Sequence, residues 1–373
     1  MKSDQPLWTP SPRALADHPL TRFTAEASRR TGRSFDGYDQ LHAWSTEDPA
    51  AFWDRVWDFA GVIGDKGERR LVDGDRMPGA RFFPDATLNF AENLLRRNDD
   101  GDAMVFRGED RVQKRMSWRE LNALVSRLQQ AFRDRGIGPG DRVAALMPNL
   151  PETIAAMLAV ASLGAIWSSA SPDFGPRGAL DRFGQIEPKA FIACDGYYYA
   201  GKTIDVAGKL AEIAAGLPTA TTVVIVPYLD RAEEVPAAVP RAGTLDAFVA
   251  PYEAGPVAYT RLPFAHPLYI LFSSGTTGVP KCIVHSAGGT LLQHLKEHQL
   301  QSGLRPGERL FYFTTCGWMM WNWLASGLAT GATLLLFDGS PFHPSPAVLF
   351  DYADAEGMNL FGTSAKYIDA VRK

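Results

Sequence analysis

Ser273-Ser274-Gly275-Thr276-Thr277-Gly278-Val279-Pro280-Lys281 places two glycines, four hydroxyls and one lysine within nine residues. That mixture suits a polyanion. Glycines let backbone N–H groups come close to a ligand. Hydroxyls add neutral donors, and the lysine adds a mobile positive charge. The loop is not a Walker A sequence, which requires Gly-Lys followed at once by Ser or Thr. Here Val279-Pro280 separates Gly278 from Lys281, and Cys282 follows. A polar hairpin between two strands has the same composition, because Tyr269-Ile270-Leu271-Phe272 leads in and Ile283-Val284 leads out. Loop chemistry alone leaves turn and phosphate loop evenly matched.

Three further segments carry residue types that could do chemistry. His294-Leu295-Lys296-Glu297-His298 fits H-x-x-E-H, with both histidines on one helical face as a zinc hydrolase needs. Motifs this short arise by chance, and the last glutamate is Glu356, so a distant third ligand is scarce. A solvated amphipathic face is the favoured reading, and no metal is expected. Cys316-Gly317-Trp318-Met319-Met320-Trp321-Asn322-Trp323 holds three tryptophans in six residues, a density typical of core packing. Tyr197-Tyr198-Tyr199-Ala200-Gly201-Lys202 is an aromatic segment with one charge.

Over its whole length the 273–281 segment resembles the signature loop of the adenylate-forming superfamily. That group holds acyl-CoA synthetases, luciferases and peptide-synthetase adenylation domains. RMPGARFFPDATLNFAENLL, ASLGAIWSSASPDFG, DRFGQIEPK, TTCGWMMWNW and FGTSAKY are similar to segments of acyl-CoA synthetases that activate acetoacetate. The likeness runs almost from Trp8 to Lys373.

The resemblance implies that Ser273, Ser274, Gly275, Thr276, Thr277, Gly278 and Lys281 bind the phosphates of ATP, with Mg2+ accompanying them. The implied reaction is attack of a carboxylate on the α-phosphate, giving an acyl-adenylate and pyrophosphate, followed by transfer to CoA. Carboxylate and triphosphate repel, so such catalysis is mostly charge neutralisation and positioning. His285 would be a polar neighbour of the nucleotide. Trp318, Met319 and Met320 would border the acyl pocket, methionine being an adaptable lining. For Met319 and Met320, pocket and core are equal alternatives, whereas Trp321 and Trp323 read as core. Tyr199 and Lys202 would meet the nucleotide end of CoA, against the plainer reading of an exposed loop lysine. Acetoacetate is the expected acid, with acetate, propionate and hydroxybutyrate as alternatives. A pseudo-ligase that binds without turnover is the non-enzymatic alternative.

Several elements of the superfamily have no counterpart in this sequence. No Tyr-Gly-x-Thr-Glu follows Ser364, and no Thr-Gly-Asp segment is present. The catalytic lysine of the superfamily is expected beyond Lys373. The chain therefore reads as the front portion of such an enzyme, with an unpaired sheet edge and exposed apolar surface expected.

The elements that must position these residues follow an α/β rhythm. Short apolar strands alternate with helices, as in a parallel sheet covered on both faces. Two doubly wound parallel-sheet subdomains are expected, the second incomplete, after a mostly helical N-terminal region. The expected units are 1–100, 101–267 and 268–373. Ser117-Trp118-Arg119-Glu120 has capping-box spacing before a helix. Trp53 and Trp57 lie four apart, as on a packed helix face.

Apolar content of 46% with 21% charged residues describes a globular protein with a core of its own. Net charge is −4 without a basic stripe, which argues against nucleic acid as a partner. Thr153 to Pro172 carries no charge, yet its serines and Gly164 favour a buried helix leading into a strand over a membrane span. A cytoplasmic location is expected. Cys194, Cys282 and Cys316 are far apart and read as buried free thiols.

Overall fold

The computed structural model describes residues 6, 8–229, 231, 234–273 and 278–373. The chain opens with four helices, α1 (Pro12–Asp17), α2 (Pro19–Thr31), α3 (Tyr38–Glu47) and α4 (Pro49–Phe59). Proline at the first helical position of α4 costs no hydrogen bond, and the Asp48 carboxylate accepts from the Ala51 N–H at 3.0 Å. Trp57 is buried and Trp53 is partly buried against the core, so both serve packing as expected. Four two-residue strands follow: β1 (Gly64–Asp65), β2 (Leu71–Val72), β3 (Arg81–Phe82) and β4 (Thr87–Leu88). A short helix α5 (Phe90–Leu94) closes this region.

The α/β body then runs through β5 (Asp102–Gly108), β6 (Val112–Ser117), α6 (Trp118–Asp134), β7 (Arg142–Leu146), α7 (Pro151–Ser162), β8 (Ile166–Ala170) and α8 (Pro176–Phe183). It continues with β9 (Ala190–Cys194), β10 (Gly196–Tyr199), β11 (Lys202–Asp205), α9 (Ala207–Gly216), β12 (Thr222–Val226), α10 (Glu234–Ala238), β13 (Ala242–Thr244) and α11 (Leu245–Val249). Next come β14 (Leu262–Pro263), β15 (Pro267–Phe272), β16 (Cys282–Ser286) and α12 (Ala287–Lys296), whose last turns widen into a π-helix over Glu297–Gln301. The final elements are β17 (Arg309–Tyr312), α13 (Met319–Ser326), β18 (Thr333–Asp338), α14 (Val348–Glu356), β19 (Leu360–Gly362) and α15 (Ala365–Arg372). The capping box before α6 forms as its spacing predicts. Ser117 Oγ accepts from the Glu120 N–H, and the Glu120 carboxylate accepts from the Ser117 N–H.

Two sheets carry the body. One has seven strands in the order β13-β12-β9-β7-β8-β15-β16. It is parallel except for β16, which runs antiparallel to β15. β7 and β8 pair in parallel from Arg142↔Ile166 to Leu146↔Ala170. The other sheet has five strands in the order β19-β17-β18-β5-β6, parallel except for β6. The chain does not fill the sheets in sequence order. β5 and β6 join the five-stranded sheet, while β15 and β16 join the seven-stranded one. The stretches 101–267 and 268–373 therefore each give strands to both sheets.

The uncharged stretch from Thr153 resolves into α7, buried along almost its whole length, and the fully buried strand β8. No described helix is long and apolar enough to cross a membrane. β19 is the outermost strand of its sheet, and Phe350 and Ile368 nearby are exposed. Cys194 and Cys316 are buried as expected, but Cys282 is exposed because it sits on the edge strand β16.

Candidate active site

β7, β8 and β15 are neighbours and parallel, so their carboxyl ends open on one side of the sheet. From β7 the chain moves to β8 on one flank, then returns to lay down β9 on the other. Open α/β sheets bind ligands at the carboxyl ends of strands where the winding reverses in this way. The loop 273–281 leaves the carboxyl end of β15. Its neck is closed by two backbone donors: Ser273 N–H to the Lys281 carbonyl at 3.0 Å, and Lys281 N–H to Ser273 Oγ at 3.3 Å. Gly278 has φ +141°, a backbone region that favours glycine, and Lys281 is exposed. Ser274, Gly275, Thr276 and Thr277 lie outside the described residues.

The entry to α13 is pinned onto the same edge. Ser169 Oγ donates to the Cys316 carbonyl at 2.7 Å, and the Trp321 indole N–H donates to Asn149 Oδ1 at 2.9 Å. Ser169 lies in β8 and Asn149 follows β7. Ser168 Oγ in turn donates to the Ile270 carbonyl of β15 at 2.8 Å. Buried hydrogen bonds of this kind contribute about 0.5–1.5 kcal/mol each. They join α13 to the strands that carry the loop. The second sheet meets them too, for the Asn149 N–H donates to Asp338 Oδ1, at the carboxyl end of β18, at 3.2 Å. Burial pushes the Asp338 carboxyl up to about 7, against the pull of that N–H.

At the start of α13 the expected pocket residues separate. Trp318 is 65% exposed, whereas Met319 and Met320 are half-buried and touch the core. Trp321 and Trp323 are buried, as core readings require, with Trp321 stacked on Trp167. Asn322, between them, is 2% exposed, and neither its amide nitrogen nor its oxygen finds a partner. An unpaired buried polar group costs about 1–3 kcal/mol. Residue types at 316–323 drew attention to methionine and tryptophan, and this amide gave no signal of its own.

Tyr199 and Lys202 face each other as the last pair of the β10–β11 hairpin, closed by Ala200 (φ +51°) and Gly201 (φ +75°). Both side chains are exposed. The turn itself is held rigidly. The buried Glu109 carboxylate accepts from Ala200 N–H at 2.6 Å, from Gly201 N–H at 2.9 Å and from Ser340 N–H at 2.8 Å. Arg111 donates to the Gly201 carbonyl at 3.0 Å. Glu109, Asp110 and His343 bring ligand atoms within 4.8 Å of one another. With three backbone donors already on Glu109, the trio works as a clasp on the hairpin and the following loop of β18.

The H-x-x-E-H segment is neither a zinc site nor a solvated face. His294 and His298 are buried against α13. His294 Nδ1 lies 2.8 Å from Ser326 Oγ, and His298 Nε2 lies 3.0 Å from both Ser326 Oγ and the Trp323 carbonyl. The Glu297 carboxylate accepts from the Trp323 indole at 2.9 Å and from Gln293 at 2.6 Å. Burial lowers His294 to about 3 and His298 to about 4, so both are neutral. His285 is half-buried against the Tyr269 ring, 5.3 Å between centroids, and burial lowers its pKa.

The AMP-binding enzyme family matches residues 90–372, and the acetyl-coenzyme A synthetase N-terminus family matches residues 38–94. The chain belongs to the AMP-binding enzyme family. Acetoacetyl-coenzyme A synthetase of Rhizobium meliloti (strain 1021) is 64% identical over 373 residues, covering 100% of this chain and 57% of that protein. The solved structure of acetoacetyl-CoA synthetase from Streptomyces lividans superposes with a TM-score of 0.92 at 42% identity, covering 99% of this chain and 56% of that one. Malonamoyl-CoA synthetase vrtB of Penicillium aethiopicum is 39% identical over 94% of this chain and 52% of its own length. The chain thus spans just over half the length of these AMP-binding relatives.

Proposed function

We propose that this chain contributes the ATP-phosphate and acid sites of an acid–thiol ligase that converts acetoacetate, ATP and CoA to acetoacetyl-CoA, AMP and pyrophosphate. The carrying observation is the junction of two sites. The loop 273–281 leaves β15, and the entry of α13, which carries the half-buried Met319 and Met320, is hydrogen-bonded through Cys316 to β8, the neighbour of β15. That arrangement suits attack by a carboxylate on the α-phosphate. The loop would hold β- and γ-phosphates through Ser273, Ser274, Thr276 and Thr277 hydroxyls, the N–H groups of Gly275 and Gly278, and the Lys281 ammonium. Mg2+ bound with the phosphates would neutralise charge that this chain does not. Trp318, Met319 and Met320 would line the acid's path, and Tyr199 with Lys202 would receive the nucleotide end of CoA.

Acetoacetate is favoured by the names of the relatives at 64% and 42% identity. Acetoacetyl and malonamoyl groups both carry a carbonyl on carbon 3, which narrows the acid class further. The test is acid-dependent ATP–pyrophosphate exchange by the full-length protein bearing this sequence. Exchange with acetoacetate should exceed exchange with acetate or propionate at equal concentration. Equal exchange with acetate would refute the choice of acid.

A further inference from the structure

Among the described residues, Asn322 is the one side chain with two buried polar atoms lacking any partner. Its helix, α13, explains where a partner must come from. Residues three and four apart share a helical face, so Asn322 lines up with Trp318 and Met319 on one side and Ser326 on the other. Ser326 is saturated: its hydroxyl donates to the Trp323 carbonyl and meets His294 and His298. Helical side chains lean toward the helix N-terminus, which carries the Asn322 amide toward Trp318 and Met319. There the helix surface is open, with Trp318 exposed and Met319 half-buried. Ser326 of α13 thus has its hydroxyl satisfied by protein, while the amide of Asn322, one turn earlier, is buried with nothing to bind.

We infer that Asn322 is a specificity-determining residue that donates its amide N–H to the carbonyl on carbon 3 of the acid. The inference rests on the proposed acid site at 318–320 and refines it. A site built to hydrogen-bond a substrate group rejects the analogue lacking it far more strongly than a merely apolar pocket can. Butyrate has the length of acetoacetate without the 3-oxo group, so it is the informative competitor.

The experiment measures ATP–pyrophosphate exchange by the full-length protein with acetoacetate and with butyrate, for wild type and Asn322→Leu. Wild type should prefer acetoacetate by a factor on the order of 100 or more. Asn322→Leu should cut that preference to less than about tenfold, mainly by losing acetoacetate while keeping or gaining butyrate. Its melting temperature should hold or rise, because leucine removes two unpaired atoms at similar volume. A preference unchanged in Asn322→Leu, or an equal loss of both acids, would overturn the assignment. Should Asn322→Leu fail to fold, Asn322→Ala faces the same two outcomes. A wild type that turns over both acids equally would overturn the assignment without any variant. A wild type inactive with every short acid would instead remove the ligase reading, and this assignment with it.

Discussion

At the scale of single residues, the two histidines of the π-widened helix end give a measurable signature. In the folded protein burial holds His298 at about 4 and His294 at about 3, whereas an unfolded histidine titrates at about 6.5. Below pH 6.5 the unfolded chain takes up protons that the folded chain refuses. Stability is therefore full above that pH and falls as pH drops from 6.5 toward 4. For His298 alone the loss at pH 5 is about 2 kcal/mol. Asp338 has the opposite sign, since a raised carboxyl makes the folded state bind the extra proton and lose stability as pH rises toward 7. Urea denaturation at pH 7 and pH 5 should show a drop in wild type about 2 kcal/mol larger than in His298→Gln. Parallel drops would mean that His298 is not held neutral. Nothing in HLKEH announces this burial, because the hydroxyl the rings share, Ser326, lies 28 residues beyond His298. A sequence pattern shows which residues share a face, not what covers it.

At the scale of elements, the β10–β11 hairpin links a buried carboxylate to two exposed side chains. Glu109 fixes the turn, and the turn fixes the spacing of Tyr199 and Lys202. If Lys202 meets a phosphate of CoA, one charge-assisted contact of about 1.5 kcal/mol is at stake, roughly tenfold in affinity. Lys202→Ala in the full-length protein should raise the KM for CoA about tenfold and leave pyrophosphate exchange untouched, because exchange does not involve CoA. A parallel fall in exchange would assign Lys202 to the ATP half of the reaction instead. The hairpin was not legible as one. Ala200 occupies a positive-φ turn position where Gly or Asn is the usual signal, so Tyr-Ala-Gly-Lys reads as a loop. The central strands were legible, since β7, β8, β9 and β12 are buried on both faces and appear as short apolar runs. The helix starts at Ser117 and Pro151 were legible from capping and proline chemistry.

At the scale of the whole molecule, strand partnership was the hidden quantity. The order of elements in the chain suggests one sheet followed by another. The two sheets instead exchange strands, and β5 pairs with β18 more than 200 residues later. Apolar pattern sets which strands are buried, but partners depend on tertiary packing that no local spacing encodes. The exchange has a consequence for the site. It brings Asn149, Ser169, Cys316 and Asp338, from both sheets, around the entry of α13. The central claim is that the acid sits at Met319 and Met320, beside the phosphate loop. Hydroxylamine trapping in the full-length protein tests it most directly. With ATP and acetoacetate, and without CoA, wild type should yield acetoacetohydroxamate. Met320→Trp, which fills the site, should lower that yield at least tenfold while ATP binding is retained. Equal hydroxamate from Met320→Trp and wild type would contradict the account.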